Sequence, residues 1–305
     1  MKEHELIGII KGELNSKYIG DDCAYITDAG IVVTQDNLVE DIHFCLEYIS
    51  PFELGYKSVM VNLSDIAASG AEPLCLTVGL SLPKYVTTEF IKDFYRGMKK
   101  AAGKIQIVGG DITGGDKVFI SVTAIGKDSD RKISSRKFAK SGQKILVSGN
   151  HGSSAAGLEL LKSGISDRNN PFIKAHLMPM ARLDISKNIA KTANKNYAMM
   201  DTSDGLADAL SAIAYASGVK MVINFDKIPK YKNLEQFENY KDLVLYGGED
   251  YELVATLDFI PEGMTVIGEV MKGQGLEIIY DDYKEILTRK DIERKLYNHF
   301  EGNEK

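Results

Sequence analysis

Six aspartates stand beside glycine or just past an apolar run, spread over two-thirds of the chain. They are Asp22, Asp36, Asp65, Asp111, Asp201 and Asp204. Carboxylates with small neighbours at strand ends are how a protein holds hard divalent cations against phosphates. Asp36, Asp111 and Asp201 each follow an apolar run of about four residues, where an α/β sheet collects ligands. Taken singly, such an aspartate is more often a turn former or a helix cap. Asp204 reads equally well as the cap of a helix over 206–217.

Asp65 sits in the most unusual surroundings. Ser50-Pro-Phe-Glu53 is a capping box with proline at the first helical position, and Gly70 ends the run, so 51–69 is a helix. After Lys57 this helix carries no long charged side chain until Glu72. Ser58, Asn62, Asp65 and Ser69 fall on one face at spacings of four, three and four. A carboxylate there must be paired or bound to metal.

Further segments could hold anions. Gly109-Gly-Asp-Ile-Thr-Gly-Gly115 could wrap backbone N–H groups around one, or be a β-turn. It is not a Walker loop, because no Gly-Lys-Ser/Thr follows. Gly149 to Gly157 precedes a helix over 153–162 whose N-terminus could face phosphate. Gly247-Gly-Glu-Asp-Tyr-Glu-Leu253 sets acids and glycines at a strand start. No Ser/His/Asp order or cysteine–base pair suggests covalent catalysis.

The elements around these residues mix strands and helices without a strict βαβ rhythm, which predicts an α+β fold. Strands are expected near 31–34, 74–82, 105–108, 118–125, 144–147, 197–200, 219–225, 251–256, 265–270 and 276–280. Further helices are expected over 90–102 and 206–217, each ending at glycine. The basic stretch 127–144 reads as a solvated connector between domains 1–137 and 138–305.

The chain has 305 residues, 44% of them hydrophobic, and a net charge of −6. That charge argues against nucleic acid as a partner and makes metal the natural counter-charge for phosphate ligands. No window suits a membrane span, and the acidic start, Met1-Lys-Glu-His-Glu, is not a signal peptide. Cys23, Cys45 and Cys75 are too scattered for a disulfide framework or zinc site and point to a reducing cytoplasm.

Taken in order, the segments resemble the thiamine-monophosphate kinase family of the aminoimidazole ribonucleotide synthetase-like superfamily. The matching pieces are Gly20-Asp-Asp-Cys-Ala24, Asp36-Asn-Leu-Val39 with His43-Phe44, and Val61-Asn-Leu-Ser-Asp-Ile-Ala-Ala68. Then come Gly109-Gly-Asp111, Ser153-Ser-Ala-Ala-Gly157, Asp201-Thr-Ser-Asp-Gly-Leu206, Gly248-Glu-Asp-Tyr-Glu-Leu253 and Tyr297-Asn-His-Phe300. The resemblance implies two domains, the N-terminal one pairing in a homodimer and the C-terminal one α/β. It implies phosphorylation of thiamine monophosphate to the diphosphate, with ATP as co-substrate and Mg²⁺ as cofactor. It places metal ligands on Asp22, Thr34, Asp36, Asp65, Asp111, Asp201 and Asp204. It places nucleotide contacts on Gly110, Asp111, Arg136 and Ser203, and substrate contacts on His43, Glu249 and Tyr297. No general base is assigned.

Gln35 stands where that family usually has a small hydroxyl residue. No cysteine precedes Cys23 as in a selenophosphate synthetase, and the chain does not end in the cysteine of a hydrogenase maturation factor. A cation- or nucleotide-binding protein without turnover is the alternative of another class.

Overall fold

A computed structural model describes residues 3–297. Two sheets organise them. The first has five strands in the order β1-β2-β5-β3-β4. These are β1 (Ala24–Ile26), β2 (Ile31–Val39), β3 (Glu72–Leu82), β4 (Gln106–Gly114) and β5 (Phe119–Lys127). Pairing is antiparallel except between β3 and β4. Helices α2 (Pro51–Ser69) and α3 (Thr88–Ala102) are packed together beside this sheet, and α1 (Glu3–Leu14) precedes it.

The second sheet has seven strands in the order β12-β11-β8-β10-β6-β9-β7. They are β6 (Lys144–Ser148), β7 (Ala198–Asp201), β8 (Lys220–Asn224), β9 (Leu253–Leu257), β10 (Met264–Met271), β11 (Gly275–Ile279) and β12 (Lys284–Leu287). Its helices are α4 (Ser153–Lys162), α5 (Pro171–Leu177), α6 (Leu183–Thr192), α7 (Leu206–Ser217), α8 (Tyr240–Tyr246) and α9 (Arg289–Glu293). The expected α+β character and the long helices are present.

Helix α2 is the centre of the molecule. Its Ser50–Glu53 capping box forms in both directions, and Gly70 closes it in the left-handed region. It is buried almost throughout, including Lys57 and Asn62. A third core cluster joins its Ala67 and Ala68 to Leu146, Tyr197 and Leu253 of the second sheet. The helix therefore belongs to both halves.

Four expectations are corrected. Asp36 and Asp111 lie inside strands, not after them. The run of polar residues at Gln35–Asn37 hides the strand from a hydrophobic reading, yet β2 pairs with β5 along all nine residues. Likewise Gly109–Gly114 is extended edge strand, held by pairing to β3, and neither a turn nor an anion loop. Gly205, not Asp204, is the N-cap of α7. The 127–144 stretch is docked rather than solvated. There Ser134 donates to the Ala68 carbonyl at 2.6 Å, and Arg131 donates to the Ala71 carbonyl at 2.9 Å.

Helices α2 and α3 meet at two glycines. A Cβ on Gly97 would stand 1.9 Å from the Phe52 carbonyl oxygen, and one on Gly55 would stand 2.0 Å from that of Phe94. Both obstacles are backbone, so neither can swing aside. Gly97→Ala is expected to lose about 1–3 kcal/mol despite alanine's better helix propensity. Urea unfolding that leaves the midpoint unchanged would contradict this packing.

Candidate active site

Two stripes of α2 build the site. The first faces the start of the chain and β2. Asn62 accepts the Asp36 backbone N–H at 3.0 Å through Oδ1. Asp65 Oδ2 accepts from the Thr34 hydroxyl at 2.5 Å. Strand alternation puts Thr34 and Asp36 on this inner side. Gln35 faces the other way, where it accepts from Thr123 at 2.9 Å.

The second stripe crosses to the other half of the chain. Glu53, Lys57, Ser64 and Ala67 recur at helical spacing. Glu53 pairs with Arg168 at 3.0 Å, and Lys57 pairs with Glu249 at 3.0 Å. Ser64 donates to Asp201 at 2.6 Å, and the Ala67 carbonyl accepts from Ser186 at 2.6 Å.

Where the stripes meet, Asp22, Asp65 and Asp201 converge. One carboxylate oxygen from each lies within 4.8 Å of the others. Asp201 ends β7, as the sequence suggested. Burial pushes the Asp65 carboxyl well above its ordinary range, and the charges of Asp36, Asp201 and Asp22 add to the effect. Asp201 is pushed up to about 7 by burial and by Asp22. Arg136 donates to Asp22 Oδ1 at 2.9 Å. Burial disfavours its charge, but Asp22 outweighs that and raises its pKa. Several crowded carboxylates around one guanidinium form a donor set of hard oxygens short of positive charge, which fits a divalent cation.

The other predicted residues divide. Ser203 donates to Asp201 Oδ1 at 3.1 Å, so it joins the cluster. Asp204 is exposed next to it in sequence. His43 accepts the Val39 N–H through Nδ1 at 3.1 Å and lies close enough to act on Glu249. Tyr297 is 61% exposed. Two residues earlier, Lys295 donates to the Tyr246 hydroxyl at 3.3 Å, beside the loop that carries Glu249. Asn298–Phe300 lie outside the described residues.

Asp111 does not reach the cluster within one chain. Asp36 is registered through Val122 and Val78 to Gly110, which puts Asp111 on the opposite face. Three strand spacings add roughly 14 Å of lateral separation. Gly110 and Asp111 sit instead on an exposed edge with Val108 and Ile112, which are 62% and 61% exposed.

The loop before β9 sends its acids in different directions. Glu249 takes Lys57. Asp250 accepts the backbone N–H groups of Gly152 at 2.5 Å and Ser154 at 2.8 Å. The chain's own carboxylate thus fills the α4 N-terminus proposed for phosphate. Glu252 binds Arg182 and Ser148. Glu249 and Tyr251 both adopt left-handed φ, 67° and 53°.

The AIR synthase related protein N-terminal domain matches residues 20–127, and the corresponding C-terminal domain matches residues 140–281. The thiamine-monophosphate kinase of Aquifex aeolicus is 37% identical over 98% of both chains. That of Bacillus subtilis is 36% identical over 92% of this chain and 93% of its own. The chain belongs to the thiamine-monophosphate kinase family. A solved structure of AaThiL complexed with AMPPCP and TMP superposes with a TM-score of 0.85 at 36% identity, covering 98% of this chain and 97% of that one. E. coli HypE, a hydrogenase maturation protein, shares only the fold, at 20% identity and a TM-score of 0.69.

For this member of the thiamine-monophosphate kinase family, sequence reading passed over Lys57, Arg168, His176 and Arg182. The signal for Lys57 was present: a single cation inside an apolar helix implies a buried acidic partner. Arg168 and Arg182 lie in segments with no motif.

The carboxylate cluster makes a prediction about pH. With its pKa near 7, Asp201 holds its proton in the folded chain after the unfolded chain has released it. Its stabilising contribution is full below about pH 4 and fades as pH rises through about 7. A cation replacing that proton restores it. Thermal melts should show Mg²⁺ raising the melting temperature more at about pH 8 than at about pH 5.5. Equal shifts at both pH values would remove the cluster as the cation site.

Proposed function

We propose that the chain transfers the γ-phosphoryl group of ATP to thiamine monophosphate, giving thiamine diphosphate and ADP. The observation that carries this reading is the buried carboxylate cluster at the seam between the halves, beside the Glu249 loop. The bond from the γ-phosphorus to the ADP oxygen breaks, and one forms to an oxygen of the acceptor phosphate. That oxygen is already anionic near neutral pH, so no side chain need remove a proton. The obstacle is repulsion between two polyanions, and Mg²⁺ supplies neutralisation and in-line orientation when bound.

Asp22, Asp36, Asp65, Asp201 and Asp204 would hold the metal ions, with Thr34 fixing Asp65. Arg136 and Ser203 border the phosphates. Arg136 already faces Asp22, so the same guanidinium can balance carboxylate or phosphate charge. His43, Glu249 and Tyr297 form the thiamine end. In this reading residues 1–137 pair in a homodimer and residues 138–305 form the second domain. The free thiols and the use of ATP suit the cytoplasm, and no described helix is long and apolar enough to cross a membrane.

The dimer gives Asp111 a role. An open sheet edge with exposed apolar side chains invites pairing with a second copy. Gly110 and Asp111 would then complete the nucleotide site of the partner rather than their own.

ADP release from ATP and Mg²⁺ should rise when thiamine monophosphate is added. Absence of stimulation defeats the proposal. Asp65→Asn should keep the fold and lose about 10²-fold or more in kcat. Co-expression of Asp65→Asn and Asp111→Asn subunits separates the two placements of Asp111. If it acts across the dimer, mixed dimers contain one intact site and recover roughly a quarter of wild-type activity in a random mixture. If it acts within its own chain, no activity returns.

A further inference from the structure

Lys57 is the one cation of α2, and its side chain is 1% exposed. Its ammonium lies 3.0 Å from Glu249 Oε1 and 3.1 Å from Oε2, so it engages both oxygens. His176 Nδ1 stands 3.3 Å from Oε2 and 3.0 Å from the Ser154 hydroxyl. Burial pushes His176 down to about 3, so this imidazole is neutral and Lys57 supplies the charge. Burial pushes the Glu249 carboxyl up, but the Lys57 ammonium, which also hydrogen-bonds it, outweighs burial and holds it below its ordinary value. The pair is therefore ionised and carries no net charge.

The pair is asymmetric in exposure. Lys57 is sealed, whereas the Glu249 side chain keeps 26% of its surface. Its backbone is also held in place: φ is 67°, and its N–H donates to the Ser203 carbonyl at 2.7 Å. Ser203 in turn donates to Asp201 of the cluster. A carboxylate clamped on both oxygens and neutralised from behind keeps lone pairs on its open side. It serves as a directional hydrogen-bond acceptor, not as an anionic well for any cation.

We propose that Lys57 is a positioning residue for substrate recognition. It fixes Glu249 and cancels its charge, so that Glu249 reads a neutral N–H donor. In thiamine monophosphate that donor is the amino group of the aminopyrimidine, not the cationic thiazolium. The proposal rests on the preceding reading that Glu249 contacts this substrate.

Steady-state kinetics on the full-length enzyme tests it. Lys57→Met should raise KM for thiamine monophosphate by about tenfold or more and leave KM for ATP within about twofold. Lys57→Arg should recover part of the loss. Lys57→Met/Glu249→Gln should be no worse than Glu249→Gln alone, because the residues act as one unit. Glu249→Gln should lower the melting temperature by stranding a buried ammonium, and the double variant should restore it. Replacing the pyrimidine amino group by oxygen should weaken the wild type about tenfold and the Glu249→Gln variant far less.

The two readings fail separately. Wild-type ADP release that ignores thiamine monophosphate overturns the function. A responsive wild type with unchanged KM in Lys57→Met, or with both KM values rising together, overturns the role of Lys57. So do additive losses in the double variant, or a wild type indifferent to the missing amino group. Should Lys57→Met not fold, Lys57→Arg and the double variant give the same comparison.

Discussion

Mutual repulsion among buried carboxylates governs this structure. Asp22, Asp65 and Asp201 come from three distant segments and meet with oxygens within 4.8 Å. Asp36 is near enough to raise both Asp65 and Asp201. Burial drives Asp65 and Asp201 to take up protons, and the charges crowded around them drive them further. Among the described residues, Arg136 touches the cluster directly, through Asp22. A fold that keeps this arrangement keeps a standing demand for positive charge.

The demand is met without loosening the surroundings because α2 separates two tasks. One stripe holds Thr34, Asp36 and Asp65 in register through Asn62 and the helix backbone. The other stripe ties the second half of the chain through Glu53, Lys57, Ser64 and the Ala67 carbonyl. Each polar group on that second stripe has a specific partner, so the seam carries no unpaired buried charge there. The close glycine contacts with α3 fix the helix from behind. The carboxylate spacing thus follows from packing rather than from the flexible side chains themselves.

Much of this was legible in the chain, and the limits are physical. The capping box, the glycine stop and the run after Lys57 with no long charged side chain marked α2 correctly, because those signals are local. Asp65 and Asp201 stood out because a carboxylate beside apolar residues is rare without a partner. The placement of Asp111 away from the cluster was not legible, because the face of a strand depends on register, and register is set by neighbours far away in sequence. Gly109–Gly114 looked like a loop because glycine has poor strand propensity, yet pairing to β3 holds it extended. The α4 N-terminus looked open because nothing local shows that Asp250, nearly a hundred residues on, fills it.

The Glu249 loop shows how the same electrostatic logic shapes the backbone. Two side-chain-bearing residues in left-handed φ within three positions are unfavourable unless their surroundings over-determine them. Here three acids in four residues are each claimed by a different element: Lys57 on α2, the α4 N-terminus, and Arg182 before α6. An extended strand would alternate these side chains and could not satisfy all three. The twist is the backbone solution that lets each carboxylate reach its own partner. It brings Glu249 out of the second half of the chain and onto α2, on the same helix that carries Asp65. The Lys57–Glu249 pair and the carboxylate cluster therefore share one rigid element, and a displacement of α2 would be felt by both.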